Sequence, residues 1–425
     1  MTPGGAPTAA ALLAALPESA DAAVVRDQRY FVVAIEPDAV VVASGADALD
    51  GLDRLPPGWW AGFLAYELGG AVERVRPGRS TAGSQHEDRV PDLVLARFPT
   101  RVVLDPASGR YELHGRGRAR DLLARAVESK GKRPSPPVAT APTRWCTTLD
   151  QAEFEQRVAK IREHIGAGDC YQVNLTRRLT TTRAIDPVGL FDALERANPS
   201  PHGAFVRVGA ASGAPSTAVV SASPERFLSW RGPDVETRPI KGTGTDPTTL
   251  RASPKDRAEN VMIVDLSRND LGRVCEPGSV VVPALCTAEA HPGLHHLVST
   301  VRGRRRPGTG VGALMRATFP PASVTGAPKP RVMQVIEDLE PVPRGVYCGA
   351  VGWIDTERDT GDFNVAIRTF TVAKGQTHLG VGAGIVADSQ PASEWAETEL
   401  KAARLLGAAA ATCADTDRAL TGAQR

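Results

Sequence analysis

Hydrophobic residues in this chain cluster in short runs more often than they recur at helical spacing. Before residue 114, Tyr30–Ile35, Ala39–Ala43 and Leu93–Ala96 are compact apolar runs that predict strands, and GWWAGFLAYELGG at residues 58–70 stands out as a motif. Further along, Thr148–Ile165 has the pattern of a helix, and Tyr171–Thr180 reads as a strand leaving a Gly-Asp turn. Strands are expected at Ala204–Val208, Ala218–Ser221, Arg226–Trp230, Ser279–Val282, Val346–Ile354, Asn364–Val372 and Thr377–Ile385, with a final helix over Pro391–Ala410. Strands joined by short turns favour antiparallel sheets over a βαβ repeat, so the expected class is α+β.

A stretch rich in Gly, Arg and Pro from His114 to Pro142 interrupts this pattern and is the expected internal boundary, although DLLARAV inside it has the makings of a short helix. The division is an N-terminal α+β part at 1–113, a linker-like segment at 114–145, a main domain at 146–410 and a tail at 411–425.

Composition narrows the function classes. Of 425 residues, 42% are hydrophobic and 23% charged, which is ordinary for a globular protein. With 50 basic against 48 acidic residues the formal charge is +2, so no large field draws the chain to nucleic acid or a membrane surface. The run Arg302–Arg306 then reads as a solvated loop. No apolar stretch is long enough to cross a bilayer, and no basic region precedes the short apolar N-terminal stretch, so a cytoplasmic location is expected. Six scattered cysteines without a CxxC fit reduced, structural thiols. Two GxGxG runs, at Gly308–Gly312 and Gly380–Gly384, lack the strand-turn-helix setting of a dinucleotide site.

Three segments carry candidate chemistry. In ASPKDRAENVMIVDLSRNDLGRV, Ser253 can cap a helix with Pro254 at its first position, and Asp256 and Glu259 then share a face. In ADSQPASEWAETELKAARLL, Pro391 marks a helix start, and Glu394, Glu397 and Lys401 share a face. Carboxylates on two helices suit a hard cation such as Mg²⁺, but a capped and solvated pair of helices has the same pattern. In SASPERFLSWRGPDVETRPIKGTGTD, Glu225 and Lys241 take loop-edge positions. Desolvation there would make the amine a nucleophile and keep the acid protonated, although surface Glu and Lys are far commoner.

Together the segments resemble the chorismate-utilising enzymes, which include anthranilate synthase component I, aminodeoxychorismate synthase component I and the isochorismate and salicylate synthases. The resemblance runs from about Leu149 to Leu406 through GDCYQVNLTRR (168–178), SASPERFL (221–228), RPIKGT (238–243), KDRAENVMIVDLSRNDLGRV (255–274), HHLVST (295–300), FPPASVTGAPKPR (319–331), YCGAVG (347–352), AIRT (366–369) and GAGIVADSQPASEWAET (382–398). The N-terminal third resembles the family chiefly through GWWAGFLAYELGG. The resemblance implies a large sandwich of antiparallel sheets with outer helices, and a Mg²⁺ ion held directly by Glu259 and Glu397, with Asp256 and Glu394 acting through water. It also implies that Arg368 and Tyr347 bind the enolpyruvyl side chain, that Lys401 pairs with a carboxylate, and that amides near Gly242, Thr243, Gly382, Ala383 and Gly384 meet an anion. His296 is placed beside the ring near the departing C4 hydroxyl, and Glu225 is the general acid.

Two positions separate the branches. Gln172 stands where the isochorismate and salicylate synthases carry a water-activating lysine. Lys241 stands in PIKGT where anthranilate synthases resemble PIAGT, and it marks the aminodeoxychorismate synthase branch. The resemblance therefore implies covalent attack by Lys241 at C2 of chorismate, then ammonia at C4 displacing the lysine. Ammonia is expected from a glutamine amidotransferase subunit, since no GxCxG nucleophile motif is visible, and no lyase domain is expected after the last helix. The absence of an LLES-like motif argues further against the anthranilate branch. A non-catalytic chorismate-binding subunit is the alternative of another class.

Overall fold

In the computed structural model, residues 7–27, 29–76, 90–128, 143–209, 216–291 and 294–412 are described. Among them, two antiparallel sheets of eleven and ten strands pack together, with helices on their outer faces. This is the α+β sandwich expected.

The eleven-stranded sheet runs Gly326–Ala327, Gln172–Thr181, Gln376–Ile385, Thr369–Ala373, Thr217–Ser221, Ala204–Val208, Ala22–Asp27, Tyr30–Ile35, Thr100–Leu104, Tyr111–His114, with Cys146–Thr147 beside Gln172–Thr181. The ten-stranded sheet runs Ile240–Gly244, Leu294–Arg304, Asp234–Arg238, Arg226–Arg231, Thr360–Val365, Ala350–Asp355, Trp59–Leu64, Leu93–Arg97, Ala39–Ala43, with Val281–His291 beside Leu294–Arg304.

The continuous apolar runs have a simple cause: inner strands are covered on both faces. In Tyr30–Ile35, Val32 and Ala34 point into the layer between the sheets, while Phe31, Val33 and Ile35 pack under the outer helices. In Trp59–Leu64 the alternation is tighter still, because a Cβ on Gly62 would stand 1.9 Å from the Val94 carbonyl oxygen. Glycine there lets the neighbouring strand come close.

Strands from both sides of the expected boundary share both sheets. Ala22–Asp27 pairs with Ala204–Val208, and Trp59–Leu64 pairs with Ala350–Asp355. Within the linker-like stretch, Gly117–Glu128 is a helix that buries Leu123, Ala126 and Val127. Residues 129–142 of that stretch, and the tail from 413, lie outside the described residues.

Several sequence expectations shift. The run Asn364–Val372 is not one strand: Thr360–Val365 belongs to one sheet and Thr369–Ala373 to the other, and the chain crosses through Arg368 at φ 52°. A change of sheet leaves the apolar pattern intact, so periodicity could not reveal it. Val346–Ile354 becomes a strand only from Ala350, and Ser279–Val282 is the start of the longer Val281–His291. The basic run 302–306 is no loop. Arg302–Arg304 end a strand, and Arg305 is buried, donating to the Gly232 carbonyl and the Asp359 carboxylate. No helix among the described residues is long and apolar enough to cross a membrane.

Candidate active site

The like ends of the two sheets meet around Lys241. The sequence places this residue in a turn; the structure places it on the edge strand Ile240–Gly244. From there the side chain reaches the other sheet, since a methyl added at Gly384 would stand 3.4 Å from Lys241 Nζ and 3.2 Å from Gln172 Nε2. A Cβ on Gly242, at φ 82°, would lie 2.9 Å from Asp256 Cβ, so the edge strand packs tightly on the first turn of helix Pro254–Gly272. Ser253 caps that helix as expected, accepting from the Asp256 amide at 3.3 Å.

Glu225 sits just before strand Arg226–Arg231, where Val365 N donates to its carbonyl at 3.0 Å and Ser223 Oγ accepts from its amide at 3.2 Å. Its carboxyl is buried, and burial pushes its pKa up to about 7 against the pull of Ser323, Lys241 and the Ile240 amide. Lys241 shifts the other way. Burial lowers the ammonium's pKa, Lys401 adds to the lowering, and Glu259, Glu225 and Glu397 oppose it. An acid displaced upward beside an amine displaced downward is the electrostatic form of a general acid paired with a nucleophile. Gln172 is fully buried with both Oε1 and Nε2 unpartnered. Unmet hydrogen bonds on a buried amide cost stability, which makes this side chain a candidate ligand contact rather than a packing element.

His296 lies opposite Thr243 in the strand register, and its Nδ1 is 2.8 Å from Thr243 Oγ1. Burial, Arg368 and His291 press its pKa down to about 3, so the ring is neutral, and its Nε2 has no partner. His291 stacks edge-on against it at 4.7 Å between centroids. Arg368 stands at the crossing between sheets, where burial lowers its pKa; its Nη1 makes a long 3.5 Å contact with Asn198 Oδ1. Burial likewise raises the Tyr347 phenol, whose ring lies so close over Gly380 that an added Cβ would stand 2.1 Å from Cδ1. Gly382, Ala383 and Gly384 lie on the strand paired with Gln172–Thr181, and Lys401 Nζ donates to the Gly382 carbonyl at 2.9 Å.

The four expected metal carboxylates come from two helices, Pro254–Gly272 and Pro391–Ala410. Burial raises the Glu259 carboxyl, and the charges of Asp256 and Glu397 raise it further, while Lys241 and Lys255 oppose. Glu394 is buried, and half-exposed Glu397 accepts from Lys401 at 2.6 Å. Among the described residues no group of three or more His, Cys, Asp or Glu side chains converges into a metal cage. The donor set still fits Mg²⁺, which keeps most of its waters and takes only one or two carboxylates directly. Mutual repulsion between Glu259 and Glu397 is what such an ion would relieve.

Sequence reasoning missed Ser323, which acts on Glu225, and His291, which faces His296. Ser323 was within reach, because it sits inside FPPASVTGAPKPR. His291 had no local signal: only strand pairing brings it near. A separate cleft of about 830 Å³, lined by Trp59, Arg101, Trp230 and Trp353, contains none of these residues.

A family profile described as "chorismate binding enzyme" matches residues 20–407. Aminodeoxychorismate synthase component 1 of Klebsiella aerogenes is 39% identical over 358 residues, covering 81% of this chain and 76% of that protein. Anthranilate synthase component 1 of Streptomyces coelicolor is also 39% identical, over 392 residues, covering 83% and 73%. The crystal structure of anthranilate synthase component I from Streptococcus pneumoniae superposes with a TM-score of 0.75 at 27% identity, over 89% of this chain and 92% of that one.

Proposed function

Because the chain belongs to the chorismate-binding enzyme family, we propose that it aminates chorismate at C4, giving 4-amino-4-deoxychorismate through a covalent adduct on Lys241. The observation that carries the reading is the opposed displacement of Lys241 and Glu225 at the meeting point of the two sheets.

In the first step the free amine of Lys241 forms a bond to C2, both ring double bonds shift (C1=C2 to C1=C6 and C5=C6 to C4=C5), and the C4–O bond breaks as Glu225 gives its proton to the leaving hydroxyl, releasing water. In the second, ammonia bonds to C4, both double bonds shift back, and the C2–N bond to lysine breaks. The Glu225 proton is consumed in each cycle and is restored by the ammonium group formed at C4. Neutral His296 offers its unpartnered Nε2 for a hydrogen bond beside the ring. Arg368 and Tyr347 hold the enolpyruvyl group, and the amides at Gly242–Thr243 and Gly382–Gly384 receive a carboxylate. Glu259 and Glu397 would hold Mg²⁺, with Asp256 and Glu394 reaching it through water; bound there, the ion supplies charge neutralisation to a substrate carboxylate. Gln172 cannot serve as the base that a lysine would provide, which disfavours addition of water.

The relatives' designation as component 1 supports a second component, and a glutamine amidotransferase that delivers ammonia is the partner we propose. The product would feed p-aminobenzoate and folate synthesis in the cytoplasm.

Amination at C2 is the competing reading, favoured by the equal identity to an anthranilate synthase component. Incubation with chorismate, Mg²⁺ and an ammonium salt, followed by product identification, decides between them. A C4-aminated product is expected; anthranilate or isochorismate would overturn the proposal, and no turnover with a matched amidotransferase would leave a binding subunit.

A further inference from the structure

The motif GWWAGFLAYELGG lies outside the chemistry just described, yet its last turn reaches the substrate side. Glu67 Oε1 accepts from the backbone amides of Arg344 at 2.7 Å and Gly345 at 3.2 Å, and Oε2 lies 3.1 Å from the same Gly345 nitrogen. Tyr66 N donates to the Gly345 carbonyl at 2.8 Å. Gly345 is left-handed at φ 66°, so two successive N–H groups turn toward one point, a concave anion nest that a carboxylate from the N-terminal third fills.

Tyr347 follows two residues later. On its C-terminal side the chain is fixed by Cys348 N donating to the Ala366 carbonyl at 3.0 Å and Ala366 N donating to the Gly349 carbonyl at 2.9 Å, two residues from Arg368. On its N-terminal side the anchors are Glu67 and the Arg344 side chain. That guanidinium bonds Glu340, the Val324 carbonyl and the Asn174 carbonyl, and lies 4.4 Å over the Tyr66 ring. Arg344 therefore joins the turn to the strand that begins with Gln172 and to the segment that carries Ser323.

We propose that Glu67 is a positioning residue that fixes the backbone turn presenting Tyr347, and so sets the pocket for the enolpyruvyl side chain of chorismate. The inference rests on the reading of Tyr347 as a substrate contact. It makes the N-terminal third part of the binding apparatus and gives the carboxylate inside a motif so far along the chain from the catalytic residues a role in it.

The test measures chorismate Kd, KM and kcat for Glu67→Ala, Glu67→Gln, Tyr347→Phe and the double variant Glu67→Ala/Tyr347→Phe, with the melting temperature of each. Glu67→Ala is expected to raise Kd and KM about tenfold with kcat within about threefold, and the double variant to bind no worse than the weaker single variant, as expected for coupled residues. Glu67→Gln keeps the shape and one acceptor, and should fall between, which keeps the test open if the alanine variant folds poorly. Should Tyr347→Phe bind chorismate normally, the inference falls together with the reading beneath it. Should Tyr347→Phe weaken binding while both Glu67 variants bind normally, or should the two effects multiply, the inference alone is overturned.

Discussion

Two regions of this molecule bury charge and polarity to a similar depth and treat it in opposite ways. Around Arg344, every guanidinium nitrogen has an acceptor: Nε and Nη2 bond Glu340, Nη1 bonds the Val324 carbonyl, and Nη2 also bonds the Asn174 carbonyl. Glu340 in turn accepts from the Thr176 amide at 2.9 Å. Around Lys241, the Gln172 side-chain amide has no hydrogen-bond partner, His296 Nε2 has none, and Glu225 and Lys241 are displaced toward their uncharged forms. A buried polar group left unmet costs stability unless something else meets it. The first cluster is closed and structural, while the second is kept open for a ligand.

The largest effect should come from the open region. Lys241→Ala removes the nucleophile, and C4 amination should fall by on the order of 10³-fold or more, equivalent to about 4 kcal/mol of barrier. Product analysis with ammonia as donor checks it, and retained C4 amination at full rate would show that no lysine adduct is needed. Next comes the closed region. Arg344→Met leaves Glu340 buried and unpaired, which should cost about 3–5 kcal/mol in denaturant unfolding, whereas Arg344→Met with Glu340→Leu should recover most of it. If the double replacement were as unstable as the single one, the carbonyl bonds rather than the ion pair would hold this cluster.

How legible this contrast was in sequence depends on the kind of signal. Strands buried on both faces announced themselves through unbroken apolar runs, as at Tyr30–Ile35, and the cap at Ser253 through local chemistry. Glu225, Lys241, Glu259 and Glu397 were named because their motifs travel together, not because spacing alone placed them. Their meeting could not be read from the chain: Lys241 stands on an edge strand, and Gly384, which it nears, lies on the opposite sheet. The Glu67–Gly345 contact joins residues 278 positions apart and has no local pattern at all. The crossing at Arg368 was hidden because a sheet change alters hydrogen-bond partners and not hydrophobicity.

The pH dependence should divide the regions again, with a smaller effect. Glu225 must be protonated to release the hydroxyl, so with its pKa at about 7 turnover should fall as pH rises through neutrality, and Glu225→Gln should lose that limb along with most activity. Stability follows the same sign. A carboxyl whose folded pKa lies above the unfolded value of 4.5 contributes stability that is present below pH 4.5 and lost as pH rises through about 7. Glu225→Gln should therefore gain about 1–3 kcal/mol over the parent between pH 5 and pH 8, read from melting at both values. An equal melting difference at the two pH values would mean that burial of Glu225 carries no unfavourable charge.

The smallest expected effect tests the rim of the open region. Lys401 and Glu397 are each 49% exposed, 2.6 Å apart and one helical turn from each other, and such pairs contribute only about 0.3–0.5 kcal/mol. Were that the whole of its role, Lys401→Met would change neither stability nor binding measurably. Yet Lys401 also donates to the carbonyl of Gly382, on the strand whose amides are proposed to receive a substrate carboxylate. Lys401→Met should then leave unfolding within about 0.5 kcal/mol of the parent while raising the chorismate KM. A loss of stability beyond that, with KM unchanged, would move Lys401 out of the open region and into the closed one, because a residue kept for a ligand shows its worth only when the ligand is present.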